Sequence, residues 1–387
     1  MKKPTLRSLL RRLLAGAALL GLFSACARGP RENELVIYIW TEYMDPDIIT
    51  AFEEEFGVKV IFDYYESNEE MLARLQAGGN TQYDLAIPSD YIMPSLIELG
   101  LIQPLNHELI PNLGELGSNF IDPPFDPGNR FSVAYQWGTV GLIYDRNKLG
   151  EGVDSWSVLF ENEAGLPFML FDSEREQIAV ALAYLGFSMK TLDRDELQAA
   201  ADLLIRAKNS PHFRGFAGNV DARNQVVAGN IAMTLAYNGD AMRVLDEHPH
   251  IGFVNPRQGT VLWVDSMVIP NRAPNPELAH KFINFMLRPE IAAQLSNWTK
   301  YATPVEAALA MIDPEDLANP VIYPTPEVRE RPLVLRDPDR PRLVDEGTIE
   351  PALDRDARPA EPDPRREVRR LEHHVLREEQ PGVLVPV

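Results

Sequence analysis

The stretch "ELVIYIWTEYMDPD", Glu34 to Asp47, decides how the rest of the chain is read. Leu35 to Trp40 is a nearly unbroken run of β-branched and aromatic residues, the pattern of a strand buried on both faces of a parallel sheet. A helix start follows: Asp45 is placed to cap it and Pro46 to be its first residue. Between the two stand Trp40, Thr41, Glu42 and Tyr43. A turn of this kind needs only Gly, Asn or Ser. Two aromatics and a carboxylate there point to the wall of a binding site.

Working outward, strands and helices alternate. Ile48, Ile49, Phe52 and Phe56 form one apolar stripe on a helix that Gly57 ends. "VKVIFDYY" is a strand, and "SNEEMLARLQAGG" is a helix with Ser67 and Glu70 at capping-box spacing. "YDLAIPSDY" reads as strand then turn, and "YIMPSLIELG" as a helix. This β-α-β-α-β order predicts an α/β fold with a doubly wound sheet. Further on, "RFSVAYQWGTVGLIYDRN" reads as two strands interrupted at Trp137-Gly138. "EQIAVALAYLGFSM" and "RDELQAAADLLIRAK" read as amphipathic helices. "NIAMTLAYNGD" and "TVLWVDSMVIP" read as strands, "NPELAHKFINFML" and "RPEIAAQLSNWTKY" as helices. Beyond Asp337 the chain is rich in Pro, Arg, Asp and Glu, so residues 340–387 are expected to form a disordered tail.

The chain has 387 residues, 45% hydrophobic and 24% charged, enough for one large or two medium domains. A net charge of −20 makes nucleic acid a poor partner and draws in cations. Cys26 is the only cysteine, so no intrachain disulfide can form. It closes the segment "MKKPTLRSLLRRLLAGAALLGLFSAC", which has the basic start, short apolar core and small residues of an export signal. Residues 1–26 are therefore expected to be a lipoprotein-type signal, with Cys26 lipidated and the protein tethered outside the cytoplasmic membrane. A metal site at "DEHPH", Asp246 to His250, is not expected, because no further Cys/His cluster completes a ligand set.

Aromatics and acids recur where predicted strands stop. Besides the opening motif there are Ser89 and Tyr91 next to Asp90, Trp137, Tyr237 and Asp240, and Trp263 and Asp265; Glu176 follows "PFMLF", and Tyr301 the last long helix. In open α/β sheets the ligand crevice lies outside the carboxyl ends of the strands, so these residues should converge. Ring faces and carboxylates together suit an alkyl ammonium, each cation–π contact contributing about 0.5–2 kcal/mol. Any one of the aromatics alone is more often a core cap, and a lone acid such as Asp90 or Asp172 more often a helix cap than a ligand; the coincidence of ring and acid in "WTEY", "YNGD" and "WVD" is what shifts the balance.

At these residues the chain resembles the bacterial polyamine-binding proteins, the solute receptors of spermidine/putrescine ABC importers. The likeness runs from Leu35 to Pro324 and rests on "WTEYMDPDII", "YESNEEMLARL", "YDLAIPSDY", "PFDPGNRFSVAYQWGTVGLIYD", "LAYNGDA", "LWVDSMVIP", "KFINFMLRPEIAAQLS" and "YATP". The resemblance implies a two-lobed periplasmic-binding-protein-like clamp with the ligand in the interlobe cleft. Lobe 1 would comprise 33–138 and 264–309, lobe 2 139–263 and 310–339, with crossovers near Trp137-Thr139 and Trp263-Asp265. It further implies that Asp265 and Glu176 take ammonium groups and Glu42 a terminal amine, while Trp263 with Trp40 and Tyr91 sandwiches the carbon chain. Thr41, Tyr43, Ser89, Tyr237, Asp240 and Tyr301 complete the implied site. Three positions depart from spermidine-type members: Ser173 stands for an acid, Tyr237 for a tryptophan, and Asp240 resembles putrescine-type members. The implied protein is a monomer without cofactor whose partners are a polyamine and a membrane ABC permease.

Two other readings stay open at this point. One is a receptor that reports polyamine to a membrane sensor without transport. The other is a secreted hydrolase using paired carboxylates such as Glu42 and Asp265, although no nucleophile elbow or HExxH helix is present.

Overall fold

The computed structural model describes residues 33–324 except 190 and 246. The signal-like segment 1–26 with Cys26, Asp246 of the "DEHPH" stretch and the tail 340–387 lie outside the described residues. In chain order the main elements are β1 (Glu34–Trp40), α1 (Pro46–Phe56), β2 (Lys59–Tyr65), α2 (Asn68–Gln76), β3 (Leu85–Ala86), α3 (Met93–Glu98) and β4 (Ser132–Asp145). Next come β5 (Phe168–Phe171), α4 (Glu174–Leu185), α5 (Arg194–Lys208), β6 (Phe213–Ala217), α6 (Asn219–Val227), β7 (Met233–Tyr237) and α7 (Asn238–Leu245). Last are β8 (Ile251–Val254), β9 (Val261–Val268), α8 (Pro276–Met286) and α9 (Pro289–Thr299).

Local chemistry sets the first elements. Leu35 to Ile39 of β1 are all buried between its parallel neighbours β2 and β3. Asp45 caps α1 by accepting the Asp47 N–H, and Gly57 ends it in the left-handed region at φ 65°, where a side chain would be strained. Ser67 caps α2, accepting the Glu70 N–H at 3.1 Å. The Glu70 carboxylate reaches back past the cap to the N–H of Glu66, at 3.1 Å, so the capping box is displaced by one residue.

The strands form one path, β2-β1-β3-β9-β4-β7-β5-β6, with β8 joined to β4. Its middle is the antiparallel ribbon of β4 and β9, paired from Ser132↔Val268 to Val140↔Val261. At one end of the ribbon β9 meets β3. At the other end β4 runs on past β9 and pairs with β7 on one edge and β8 on the other. Each end thus carries its own parallel set, β2-β1-β3 and β7-β5-β6, flanked by helices: a two-lobed α/β clamp whose lobes share a central ribbon.

Three sequence expectations need correction. The segment expected as two strands broken at Trp137-Gly138 is a single strand of 14 residues. Its irregularity lies between Ala134 and Gln136 instead. Gly138 serves close approach rather than a break, since a Cβ there would sit 2.3 Å from Asn238 Oδ1 and 2.6 Å from Trp263 Cζ2. Helix α4 is not amphipathic: Glu176 to Ala183 are buried without a gap, because it packs on both α5 and β5. Strands β6 and β8 and helices α6 and α7 were not foreseen, and the strand expected through Asp240 ends at Tyr237, where α7 begins; Arg214 and Gly215 interrupt the apolar run that would have marked β6.

Candidate ligand-binding site

A cavity lies between the lobes, lined by both rings and acids. Trp40, Phe171, Ala217 and Tyr237 line it, and each is the final residue of its strand, β1, β5, β6 and β7 respectively. The carboxyl ends of both parallel sets therefore open into one crevice, as the strand-end rule requires. Trp263 and Asp265 enter from β9 in the shared ribbon, and Tyr301 from just beyond α9.

Of the residues expected to converge, Glu42, Asp90, Tyr91 and Trp137 do not line this cavity and the others do; Trp137 is buried inside β4, its indole N–H donating to the Thr303 carbonyl at 3.2 Å. Trp40 is held by its indole N–H, which donates to the Ile87 carbonyl at 3.0 Å, and by the Tyr65 ring at 4.4 Å. Thr41 donates to Glu66 Oε1 at 2.7 Å. Tyr43, Tyr237 and Tyr301 pack around Trp263 edge to face, with ring centroids 6.5, 5.7 and 5.0 Å from it. Rings locked in this way keep π faces in place for a cation.

The acids divide into two kinds. Asp265 and Glu176 are buried and, among the described residues, neither has a Lys or Arg within ion-pair distance. Burial pushes the Asp265 carboxyl up to about 7; the Ser89 and Tyr43 hydroxyls counter part of the rise, and the charges of Asp90 and Glu176 add to it. Glu176 is also pushed up to about 7, chiefly by burial, although the Tyr237 hydroxyl donates to its Oε1 at 3.3 Å and Ser173 donates to its Oε2. Asp265 Oδ1 and Trp263 Nε1 are buried polar atoms without a hydrogen-bond partner among the described residues. Such atoms cost about 1–3 kcal/mol each unless a ligand or water meets them.

Asp240 is different. It accepts from the Tyr301 hydroxyl at 2.7 Å and from the Asn219 amide, and its Oδ1 lies 3.8 Å from Arg223 Nη1. Glu42 faces away from the cavity, and its Oε2 lies 3.4 Å from Arg223 Nη2 and 3.3 Å from Arg243 Nη1. Tyr91 donates to the Glu69 carboxylate at 3.2 Å, and the guanidinium of Arg175 covers its ring at 4.7 Å. At Glu42 arginines occupy the place that the resemblance gives to a terminal amine, and at Tyr91 an arginine covers the ring that it gives to the ligand's carbon chain. The pairing of Glu42 with Asp265 that a hydrolase would use is likewise absent from this arrangement, since only Asp265 reaches the cavity.

Asp172, Asn219 and Glu66 line the cavity without having been singled out as ligand residues from sequence. Asn219 opens α6 directly after β6, accepting the Tyr237 N–H at 3.1 Å. Recognising β6 would have exposed it; no motif does. Among the described residues no group of three or more His, Cys, Asp or Glu side chains could hold a metal ion. None of their helices is long and apolar enough to cross a membrane.

Residues 47–325 match the profile of the bacterial extracellular solute-binding protein family. The chain is 35% identical over 316 residues to the spermidine/putrescine-binding periplasmic protein of Escherichia coli, covering 81% of this chain and 89% of that one. It is 30% identical over 330 residues to a putrescine/agmatine-binding protein of Pseudomonas aeruginosa, covering 79% of this chain and 87% of the relative. The solved spermidine/putrescine ABC transporter substrate-binding protein PotD of Streptococcus pneumoniae superposes with a TM-score of 0.66 at 32% identity, covering 78% of this chain and 92% of its own.

Proposed function

The chain belongs to the bacterial extracellular solute-binding protein family, and from that premise we propose that it captures a polyamine outside the cytoplasmic membrane and delivers it to the permease of an ABC importer. Putrescine and spermidine are the ligands its relatives are named for. One observation carries the reading. Two buried carboxylates, Asp265 and Glu176, face an aromatic-walled cavity with no Lys or Arg within ion-pair distance among the described residues.

In this reading the two acids take two ammonium groups, and the methylenes between lie against Trp40, Trp263 and Tyr237. Desolvation makes each charge pair stronger, and a buried carboxylate left without its cation would cost several kcal/mol. The open clamp exposes the wall around Trp40 and Tyr43; closure brings Glu176 and Tyr237 across, so the ligand shifts the population by its differential affinity for the closed form. In this reading the lobes divide as 33–138 with 264–309 and 139–263 with 310–339, of which 325–339 lie outside the described residues, and hinge in the ribbon at Gly138 and Trp263. The protein acts as a monomer and is tethered through lipidated Cys26; Cys26→Ser should release it from membranes into the soluble fraction.

The experiment that tests the function is calorimetric titration with putrescine, spermidine, spermine and a neutral diol of putrescine's length. The amines should bind and the diol should not. A diol that binds as tightly as the diamine removes the basis for the proposal. Transport, as against sensing, is read from amine uptake by cells with and without the gene.

A further inference from the structure

We propose that Arg223 is a specificity-determining residue: a built-in cation that neutralises Asp240 and Glu42, closes that end of the cleft to amines, and leaves Asp265 and Glu176 as the acids open to ligand. The inference rests on the amine-binding reading above and refines it to the number of ammonium groups the cleft accepts.

Arg223 projects from α6 with only 6% of its side chain exposed. Nη2 lies 3.4 Å from Glu42 Oε2, and Nη1 lies 3.8 Å from Asp240 Oδ1. Nη1 also donates to the Asp240 carbonyl at 3.4 Å, while Nε and Nη2 donate to Asn224 Oδ1 at 3.2 and 3.0 Å. These bonds fix the guanidinium between the lobes. Arg243 adds a second cation, 3.3 Å from Glu42 Oε2, donating to the Glu42 carbonyl at 3.2 Å and stacking on Trp298 at 4.3 Å. Two acids thus meet two arginines, and the cluster is neutral. Asp240 is further occupied by Tyr301 and Asn219. An ammonium arriving there would face an existing cation and find no free carboxylate.

At Asp265 and Glu176 the situation is reversed. Both are buried and neither has an arginine or lysine within ion-pair distance among the described residues. The deep cleft therefore matches two ammonium groups. A third amine of a longer ligand is directed to the mouth, where Thr41, Glu66 and Asp172 border both the cavity and the open space beside it.

Isothermal titration of the full chain with putrescine and spermidine tests this. The unaltered protein should bind spermidine no more than about tenfold more tightly than putrescine, because the third amine stays near water; a larger preference overturns the proposal without any variant. Arg223→Met frees Asp240 and should raise the spermidine-to-putrescine affinity ratio about tenfold. Arg223→Lys keeps the charge and should leave that ratio within about threefold of the unaltered protein. Combining Arg223→Met with Asp240→Asn removes both charges and should return putrescine affinity to within about threefold of the unaltered protein. A loss of about thirtyfold in the double variant identifies Asp240 as an amine ligand and overturns the proposal. Equal weakening of both amines by Arg223→Met assigns Arg223 a structural role and also overturns it. Failure of the unaltered protein to bind either amine counts against the amine reading itself.

Discussion

The backbone of Gly138 is packed against the indole of Trp263: a Cβ at Gly138 would stand 2.6 Å from Cζ2 and 3.2 Å from Cε2 of that ring. The two residues are also register partners in the ribbon common to both lobes. The ribbon is thus the seat of the aromatic wall as well as the link between lobes. Gly138→Ala should push Trp263 toward the cavity and lower amine affinity about tenfold or more, with a stability loss of about 1–3 kcal/mol. Titration calorimetry and denaturant unfolding check the two effects separately.

Asp265 sets a conflict between binding and stability. Its buried carboxylate serves the cation and destabilises the empty protein. Asp265→Asn should weaken diamine binding by about 2–5 kcal/mol. The same variant should melt higher than the unaltered protein when both are free of ligand at pH 8. Reduced stability of the ligand-free variant at that pH would contradict the account of Asp265 as an uncompensated acid.

The raised carboxyls of Asp265 and Glu176 also fix a pH dependence. Each titrates near 7 in the folded protein, above its ordinary range. The folded form therefore keeps protons that the unfolded chain releases between about pH 4 and 7. The stability these groups contribute to the ligand-free protein is full below about pH 4 and lost as pH rises through about 7. Cation binding has the opposite trend, because it needs the ionised form: affinity should fall as pH drops from 8 to 6, with protons released on binding near pH 6. Melting curves of ligand-free protein and calorimetry in buffers of different ionisation enthalpy measure both trends, and Asp265→Asn should flatten each.

Glu42 provides a contrast. It borders the cleft in sequence but bonds Arg223 and Arg243 across the lobes and is 38% exposed. The carboxylate end of these pairs is exposed to water, and Arg223 keeps Asp240 as a partner when Glu42 is neutralised, so the loss is about 0.2–1 kcal/mol. Glu42→Gln should therefore cost less than about fivefold in amine affinity, whereas Glu176→Gln should cost far more. Side-by-side titrations decide it; a loss at Glu42 equal to that at Glu176 would restore Glu42 to the ligand.

The sequence by itself determined the lobes' local grammar and the chemistry of the cleft. Period and caps were enough for β1, α1 and β2, because Asp45, Pro46 and Gly57 act within a few residues of the helix they bound. The strand-end rule was enough to bring Trp40 and Tyr237 to one crevice, since each ends a parallel strand, whereas Trp263 stands inside the antiparallel β9 and reaches the same place only through the ribbon. What only the tertiary structure decided is which charges are already spoken for. Arg175, Arg223 and Arg243 carry no motif and lie about 80 to 200 residues from Tyr91 and Glu42, and an ion pair between lobes depends on distance in space, which falls off as no sequence pattern does. The same holds for Gly138, which reads as a break in a strand and is instead the flat surface on which Trp263 rests.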